Sequence, residues 1–293
     1  MKLIKGNSEE EILKLADESV DIVCIDPPYL YLKNQKLERE FDERLFFEQL
    51  KRVLTKDGFI IMFGRGVSFY RWNCILDDLG FIFKEEIVWD KSYGSSPLMA
   101  ITRVHETISI FGKEKAKIQK VKIPYVEMKG EDLSSIKVDI NRIKTVFSNS
   151  SHFDALKKYL DSGELSFDGE YLASTTITNG RKRVNRCIST AQTISEGMNE
   201  KTIIKLKREH YDSIHPTQKP VRLLERLLQL CLPNKTKKEI VVADFFAGSF
   251  SCGEACYNLG IDNFIGIEID DEYYNLGVER IDKLKPRQEK FEL

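Results

Sequence analysis

The sequence predicts a doubly wound α/β fold around a mostly parallel sheet, and three observations lead there. Short β-branched or aromatic runs recur at 2–5, 20–25, 59–63, 81–89, 106–111, 239–245 and 263–269. Each has strand length, and runs such as 20–25 and 59–63 are nearly continuously apolar, as strands covered on both faces are. Amphipathic stretches of helical period, such as 43–54 and 69–79, lie between them, which is the alternation of a strand-helix-strand chain. In "LTKDGF" (54–59) and "LDDLGF" (76–81), Gly58 and Gly80 follow a helical pattern and precede a strand, where a helix C-cap belongs.

Taken in order, 2–5 is a short strand followed by "GNSEEEILKL", a helix start. The run 20–25 then passes without a turn into Asp26-Pro27-Pro28-Tyr29. Two prolines fix φ and carry no N–H, so the strand must stop at a rigid elbow. An acid before that elbow and a ring after it need a further reason. Strands and helices alternate up to residue 112, and the pattern then changes. Residues 113–210 show weak alternation and polar clusters such as "SNSSHF" and "STTITNGRKRVNRC". This stretch holds 19 lysines and arginines against 13 acids, about +6 in a chain of net charge −1. Such an asymmetry is what a basic patch for a polyanion leaves in a sequence. The α/β pattern resumes with a helix at "VRLLERLLQL" and strands at 239–245 and 263–269.

Composition bounds the class. With 42% hydrophobic and 31% charged residues, the chain fits an ordinary globular protein rather than a disordered or fibrous one. No apolar run approaches the roughly 18–20 residues of a membrane span. The N-terminus lacks a signal-length apolar stretch, so a cytoplasmic location is expected. Six cysteines without CxxC spacing and four scattered histidines point to reduced thiols and to no metal site.

The segment "EIVVADFFAGSFSCGEACYNLG" (239–260) reads as a strand, a turn of small residues and a helix. Small residues let backbone N–H groups and a helix N-terminus approach a ligand. About twenty residues on, "FIGIEID" ends the next strand at Glu268, where an acid can hydrogen-bond both ribose hydroxyls. The layout indicates a nucleoside-containing cofactor. It matches neither the GxGxxG dinucleotide turn nor a P-loop.

The turn "DFFAGSFSCG" resembles the cofactor motif D-x-F-x-G-S-G-T-T of S-adenosylmethionine-dependent DNA amino-methyltransferases, with Phe246, Ala247, Gly248 and Ser249 matching. Phe250 stands in place of the second glycine, so its side chain must point away from the ligand. Asp26-Pro27-Pro28-Tyr29 fully matches the family's catalytic [DNS]-P-P-[YFW]. "HPTQKP" (215–220) resembles the motif preceding the glycine turn, and "LIKGNSEEEILKL" the first strand-helix element, with Asn7 in place of the usual acid. "VWDKSYGSSP" (88–97) and "HETISIFGK" (105–113) look like the intermediate motifs. The catalytic motif comes first and the cofactor turn last, which resembles the permuted β class.

This resemblance, carried by 1–113 and 210–282, implies a Rossmann-like methyltransferase fold with an inserted target-recognition region. Residues 1–113 would be the catalytic half, 114–209 the recognition region and 210–293 the cofactor half. The implied activity is methyl transfer from S-adenosylmethionine to the N6 amine of adenine in double-stranded DNA, with the base flipped from the stack. Asp26 would accept the amine, helped by the carbonyl of the Pro27-Pro28 elbow, and Tyr29 would stack on the base. Asn7, Asp26, Asp244, Phe245, Phe246, Ala247, Gly248, Ser249 and Glu268 would hold the cofactor. Thr217, Gln218 and Lys219 would lie near its methionine carboxylate. Arg181, Lys182, Arg183 and Arg186 are candidate DNA contacts. A homodimer and a cognate restriction endonuclease are candidate partners, and no membrane is implied. Two alternatives stay open: N4-cytosine methylation at the same site, and a non-catalytic DNA-binding subunit that keeps the fold.

Overall fold

A computed structural model describes residues 1–29, 39–94, 100–130, 132–170, 182–207 and 218–284 of the 293; at 167–170, 182 and 183 the description covers the backbone. Two compact units divide the chain: 1–119 with 201–293, and 120–200. The division falls several residues inside the boundaries expected from charge and pattern.

The first unit begins with β1 (Lys2–Lys5), α1 (Ser8–Ile12), β2 (Val20–Ile25), α2 (Glu43–Val53), β3 (Leu54–Gly64), α3 (Gly66–Asp78), β4 (Ile82–Asp90) and β5 (His105–Gly112). The second unit holds β6 (Lys122–Ile123), α4 (Tyr125–Lys129), α5 (Leu133–Ser148), α6 (Ser150–Ser162), β7 (Phe167–Glu170), β8 (Lys182–Val184), α7 (Arg186–Ser195) and β9 (Met198–Asn199). The chain returns to the first unit with β10 (Ile203–Lys205), α8 (Val221–Leu230), β11 (Val241–Asp244), α9 (Ser251–Leu259), β12 (Asn263–Glu268) and α10 (Asp271–Asp282).

Eight strands form one sheet in the order β1-β12-β11-β2-β3-β5-β4-β10. All neighbours are parallel except β5, which runs antiparallel to both β3 and β4. From the central pair β11 and β2, one half of the sheet grows outward through β12 to β1 and the other through β3. The strand order reverses between β11 and β2, and in such sheets the crevice beyond the strands' carboxyl ends is the ligand site. Asp244 ends β11, Glu268 ends β12, and Asp26 follows β2, so all three acids reach that edge.

β2 is buried at every position because helices cover both faces. On one face Phe46, Phe47, Leu50 and Val53 of α2 pack with Trp72 and Leu76 of α3 against Val23, Ile25, Ile60 and Met62. Gly80 ends α3 as expected, with a φ of 79°. Gly58 does not cap α2, since β3 starts directly after Val53. It lies instead where the β2–β3 register shifts between Val20 and Ile22. The physical reason is that Leu54 already pairs with Val20, so no left-handed turn is required.

In the 120–200 unit α5, α6 and α7 pack on one another. Their N-termini are capped by Asp132, Asn149 and Asn185, which is the use of the polar clusters that blurred the sequence pattern. Buried Asp139 accepts from Tyr125 Oη at 2.9 Å and pairs with Lys129 and Arg142. No helix among the described residues is long and apolar enough to cross a membrane.

Candidate active site

The site is built at the carboxyl edge of the first unit's sheet. Asp26 emerges from β2 on the proline elbow, with one oxygen, Oδ1, accepting the Tyr29 hydroxyl. The Tyr29 carbonyl accepts from Ser68 Oγ of α3 at 2.8 Å, and its ring packs on Trp72 with centroids 6.1 Å apart. The elbow, the acid and the ring are therefore fixed from both sides. Phe41 ahead of α2 lies 5.4 Å from the ring of Phe246 and 6.4 Å from Trp72, so an aromatic wall joins the proline elbow to the glycine turn.

The other oxygen of Asp26, Oδ2, receives Lys219 Nζ at 2.5 Å. Lys219 also pairs with Glu106 Oε2 at 3.0 Å, and Glu106 Oε1 takes Lys91 Nζ at 3.0 Å. Burial drives the Asp26 carboxyl up and Lys219 pulls it back, but Glu106 adds to burial and the net shift is upward. Glu106, despite burial, is held down at about 2 by Lys219 and Lys91. Burial would lower Lys219, yet its two acids raise it well above the ordinary lysine value. The sequence placed Lys219 beside a cofactor carboxylate; in the fold its ammonium is engaged by Asp26. Gln218 is buried beside it, and Thr217 lies outside the described residues.

The glycine turn leaves β11 through Asp244, whose Oδ1 accepts the Phe246 N–H at 3.1 Å. Burial, with Asp26 and Glu268 close by, pushes the Asp244 carboxyl up to about 8. Gly248 has a φ of 51°, a left-handed conformation natural to glycine, and its N–H reaches Glu268 Oε2 at 2.7 Å. Glu268 Oε1 accepts from Asp270 N–H at 2.8 Å, and burial raises this carboxyl. Phe245 turns its ring into the core against Phe46 and offers its carbonyl to Ser8 Oγ. Ala247 and Ser249 are buried, and Arg280 of α10 holds Ser249 Oγ at 3.0 Å while pairing with Glu254 at 2.8 Å.

Phe250 also has a left-handed φ, 52°, which costs an ordinary residue about 1–2 kcal/mol. Its ring is fully buried and points away from the cradle, into a slot between two glycines. A Cβ on Gly266 of β12 would sit 2.5 Å from Phe250 Cε1, and one on Gly277 of α10 would sit 2.9 Å from Cε2. Burying a phenylalanine is worth about 1.5–3 kcal/mol, enough to offset the backbone strain. Asn7 caps α1, its side-chain oxygen accepting Glu9 N–H at 2.9 Å. Of the candidate DNA contacts, Arg186 is the exposed first residue of α7. Lys182 and Arg183 lie on β8 with side chains outside the description, as is Arg181 altogether.

These residues suit S-adenosylmethionine by donor chemistry. Two buried carboxyl groups, Asp244 and Glu268, have lone pairs left for cationic and hydroxyl groups. A glycine-rich backbone and the Phe246 ring lie beside them.

A family model described as DNA methylase, of the N6/N4 methyltransferase kind, matches residues 20–279. The chain belongs to this DNA methylase family. This methylase is 27% identical to the DNA adenine methyltransferase YhdJ of Escherichia coli (strain K12), covering 96% of this chain and 82% of that one. It is 24% identical to the Type II methyltransferase M.HinfI of Haemophilus influenzae, covering 99% and 71%. Among solved structures, the M1.HpyAVI–SAM complex superposes with a TM-score of 0.54 at 18% identity, covering 95% of this chain and 98% of that chain. The cytosine-N4-specific PvuII DNA methyltransferase gives 0.54 at 14%, covering 99% and 87%. The likeness to these structures is one of fold: the methylase has the Rossmann-like class, and S-adenosylmethionine is its cofactor.

Glu106, Lys91, Arg280, Ser68 and Phe41 were not singled out from the sequence. Glu106 and Lys91 stand inside the quoted segments "HETISIFGK" and "VWDKSYGSSP", but only the antiparallel pairing of β4 and β5 brings them together, Trp89 opposite Glu106.

Proposed function

We propose that the methylase transfers a methyl group to the N6 amine of adenine in duplex DNA. The observation that carries this is a carboxylate, Asp26, rigidly presented at the strand-order reversal beside Asp244 and the Glu268-bound glycine turn. An exocyclic amine is a poor nucleophile because its lone pair is delocalised into the ring. Asp26, still able to accept a further hydrogen bond on each oxygen, takes an N–H from the amine and favours the pyramidal nitrogen that can attack. The elbow carbonyl takes the second N–H. When bound, the cofactor supplies an electrophilic methyl group on a cationic sulfur. Methylation would leave the positive charge on the amine nitrogen, and Asp26 or water would take the proton it then sheds. Tyr29, braced by Trp72 and Ser68, offers a flat face to a base that has left the stack.

An aspartate rather than a serine at position 26 favours adenine, in line with the name of the YhdJ relative. The stretch 113–210, basic overall and including Arg181, Lys182, Arg183 and Arg186, is assigned to DNA contact on charge. A cytoplasmic location, a cognate endonuclease and a homodimer belong to the same proposal, and sedimentation of the purified chain reads the last. The test of function is nucleoside mass spectrometry of DNA treated with the wild type and with Asp26→Ala. N6-methyladenine formed by the wild type and abolished in the variant, with S-adenosylmethionine still bound, is the expected result. N4-methylcytosine would transfer the same chemistry to the other base. No methylated base of either kind would refute the reading.

A further inference from the structure

Resting on that reading, we infer that Lys219 is a positioning residue for methyl transfer, its ammonium wedged between Asp26 and Glu106 to hold the catalytic carboxylate ionised and in one orientation. The arrangement is an alternating chain of charge, Asp26–Lys219–Glu106–Lys91, drawn from four parts of the first unit: the elbow after β2, the segment before α8, β5, and the end of β4. Its links are 2.5, 3.0 and 3.0 Å long. Lys219 is 8% exposed at its side chain, and its ammonium sits 5.0 Å from the centroid of Phe63 on β3. Lys91 is braced similarly, 5.6 Å from the ring of Trp89. An ammonium so enclosed by two acids and a ring face is built into the fold rather than left reaching into solvent for a ligand.

The chain also has a reason to exist. Asp26 shares its surroundings with Glu106, which opposes its ionisation, and it is largely desolvated. A protonated Asp26 would lose half its acceptor capacity and could not draw an amine proton. Among the described residues, Lys219 and the Tyr29 hydroxyl favour the charged form. Glu106 repels Asp26 but also anchors Lys219 beside it, and Lys91 neutralises Glu106 in turn.

The test is single-turnover methylation across pH with Lys219→Met and Glu106→Gln, alongside cofactor binding and thermal melting. Lys219→Met is expected to lower the methyl-transfer rate near neutral pH about 100-fold. The acid limb of its rate profile should move upward by about one pH unit, while the dissociation constant for S-adenosylmethionine changes less than about threefold. Glu106→Gln, the milder variant, should shift the acid limb the opposite way, because it removes a negative charge facing Asp26. Opposite shifts cannot come from general damage to the fold. If Lys219→Met keeps the wild-type rate and acid limb but weakens S-adenosylmethionine binding tenfold or more, Lys219 is a cofactor ligand and the inference is overturned. Should Lys219→Met not fold, an unmoved acid limb in Glu106→Gln overturns it as well. A wild type that methylates no base refutes the proposed function instead. The Asp26 titration, followed by carboxyl-carbon NMR in the same proteins, then judges Lys219 independently.

Discussion

Replacing Gly277 of α10 by alanine tests the unusual glycine turn through its packing. On an exposed helix the change would stabilise, since alanine is better than glycine by about 1 kcal/mol. Here the added Cβ would lie 2.9 Å from Phe250 Cε2, 3.2 Å from Cγ, and closer still to Cδ2. Carbon atoms prefer about 3.5–4.0 Å. The ring cannot retreat, because Gly266 on its other side already leaves only 2.5 Å for a Cβ, and Phe250 is fully buried. Overpacking of this kind costs about 1–3 kcal/mol, so the helix gain is cancelled or exceeded. In a Phe250→Ala background the clash disappears, and Gly277→Ala should stabilise by about 1 kcal/mol. The double-mutant cycle, read by urea unfolding, should therefore give a coupling of about 1–3 kcal/mol with a change of sign between backgrounds. Because Phe250 caps α9, Gly277→Ala should also weaken S-adenosylmethionine binding in calorimetry. Effects additive to within about 0.5 kcal/mol would refute the idea that the two glycines exist to house this ring.

Three other perturbations probe the site. Asp26→Ala should cut methyl transfer by at least about 100-fold while calorimetry still detects the cofactor; a rate near wild type would remove Asp26 from the chemistry. Asp244 makes stability fall with pH: between about 4 and about 8 the folded chain holds a proton that the unfolded chain has released. Ligand-free wild type should thus lose melting temperature across that window and level off above it, and Asp244→Asn should show a flatter profile; identical slopes would refute the upward shift. Arg280→Ala removes the hydrogen bond to Ser249 and the ion pair to Glu254. A loss of about 1.4 kcal/mol in cofactor binding, tenfold in affinity, is expected by calorimetry, and unchanged binding would show that the turn holds itself.

Much of the fold was legible along the chain because strands buried on both faces are written as short apolar runs. The runs 2–5 and 20–25 match β1 and β2 residue for residue, and Gly80 announced the end of α3 through the positive φ it supplies. The middle was harder to read. Its helices are short or polar-faced, start on Asn and Asp caps, and leave apolar residues such as Leu133, Ile140 and Phe147 exposed. β10, three residues long, gained its place only by pairing with β4.

The sequence by itself determined the chemistry that is local: a carboxylate on a proline elbow, a glycine turn with an acid one strand later, and their permuted order. Those features depend on φ restriction and on period, which neighbouring residues settle among themselves. The tertiary structure alone decided what those groups face. Lys219 meets Asp26 across a sequence separation of 193, Glu106 arrives on an antiparallel strand, and Phe250 finds its slot between Gly266 and Gly277. Such partners are chosen by strand order and helix packing, and long-range contacts of that kind leave no periodic trace in the chain.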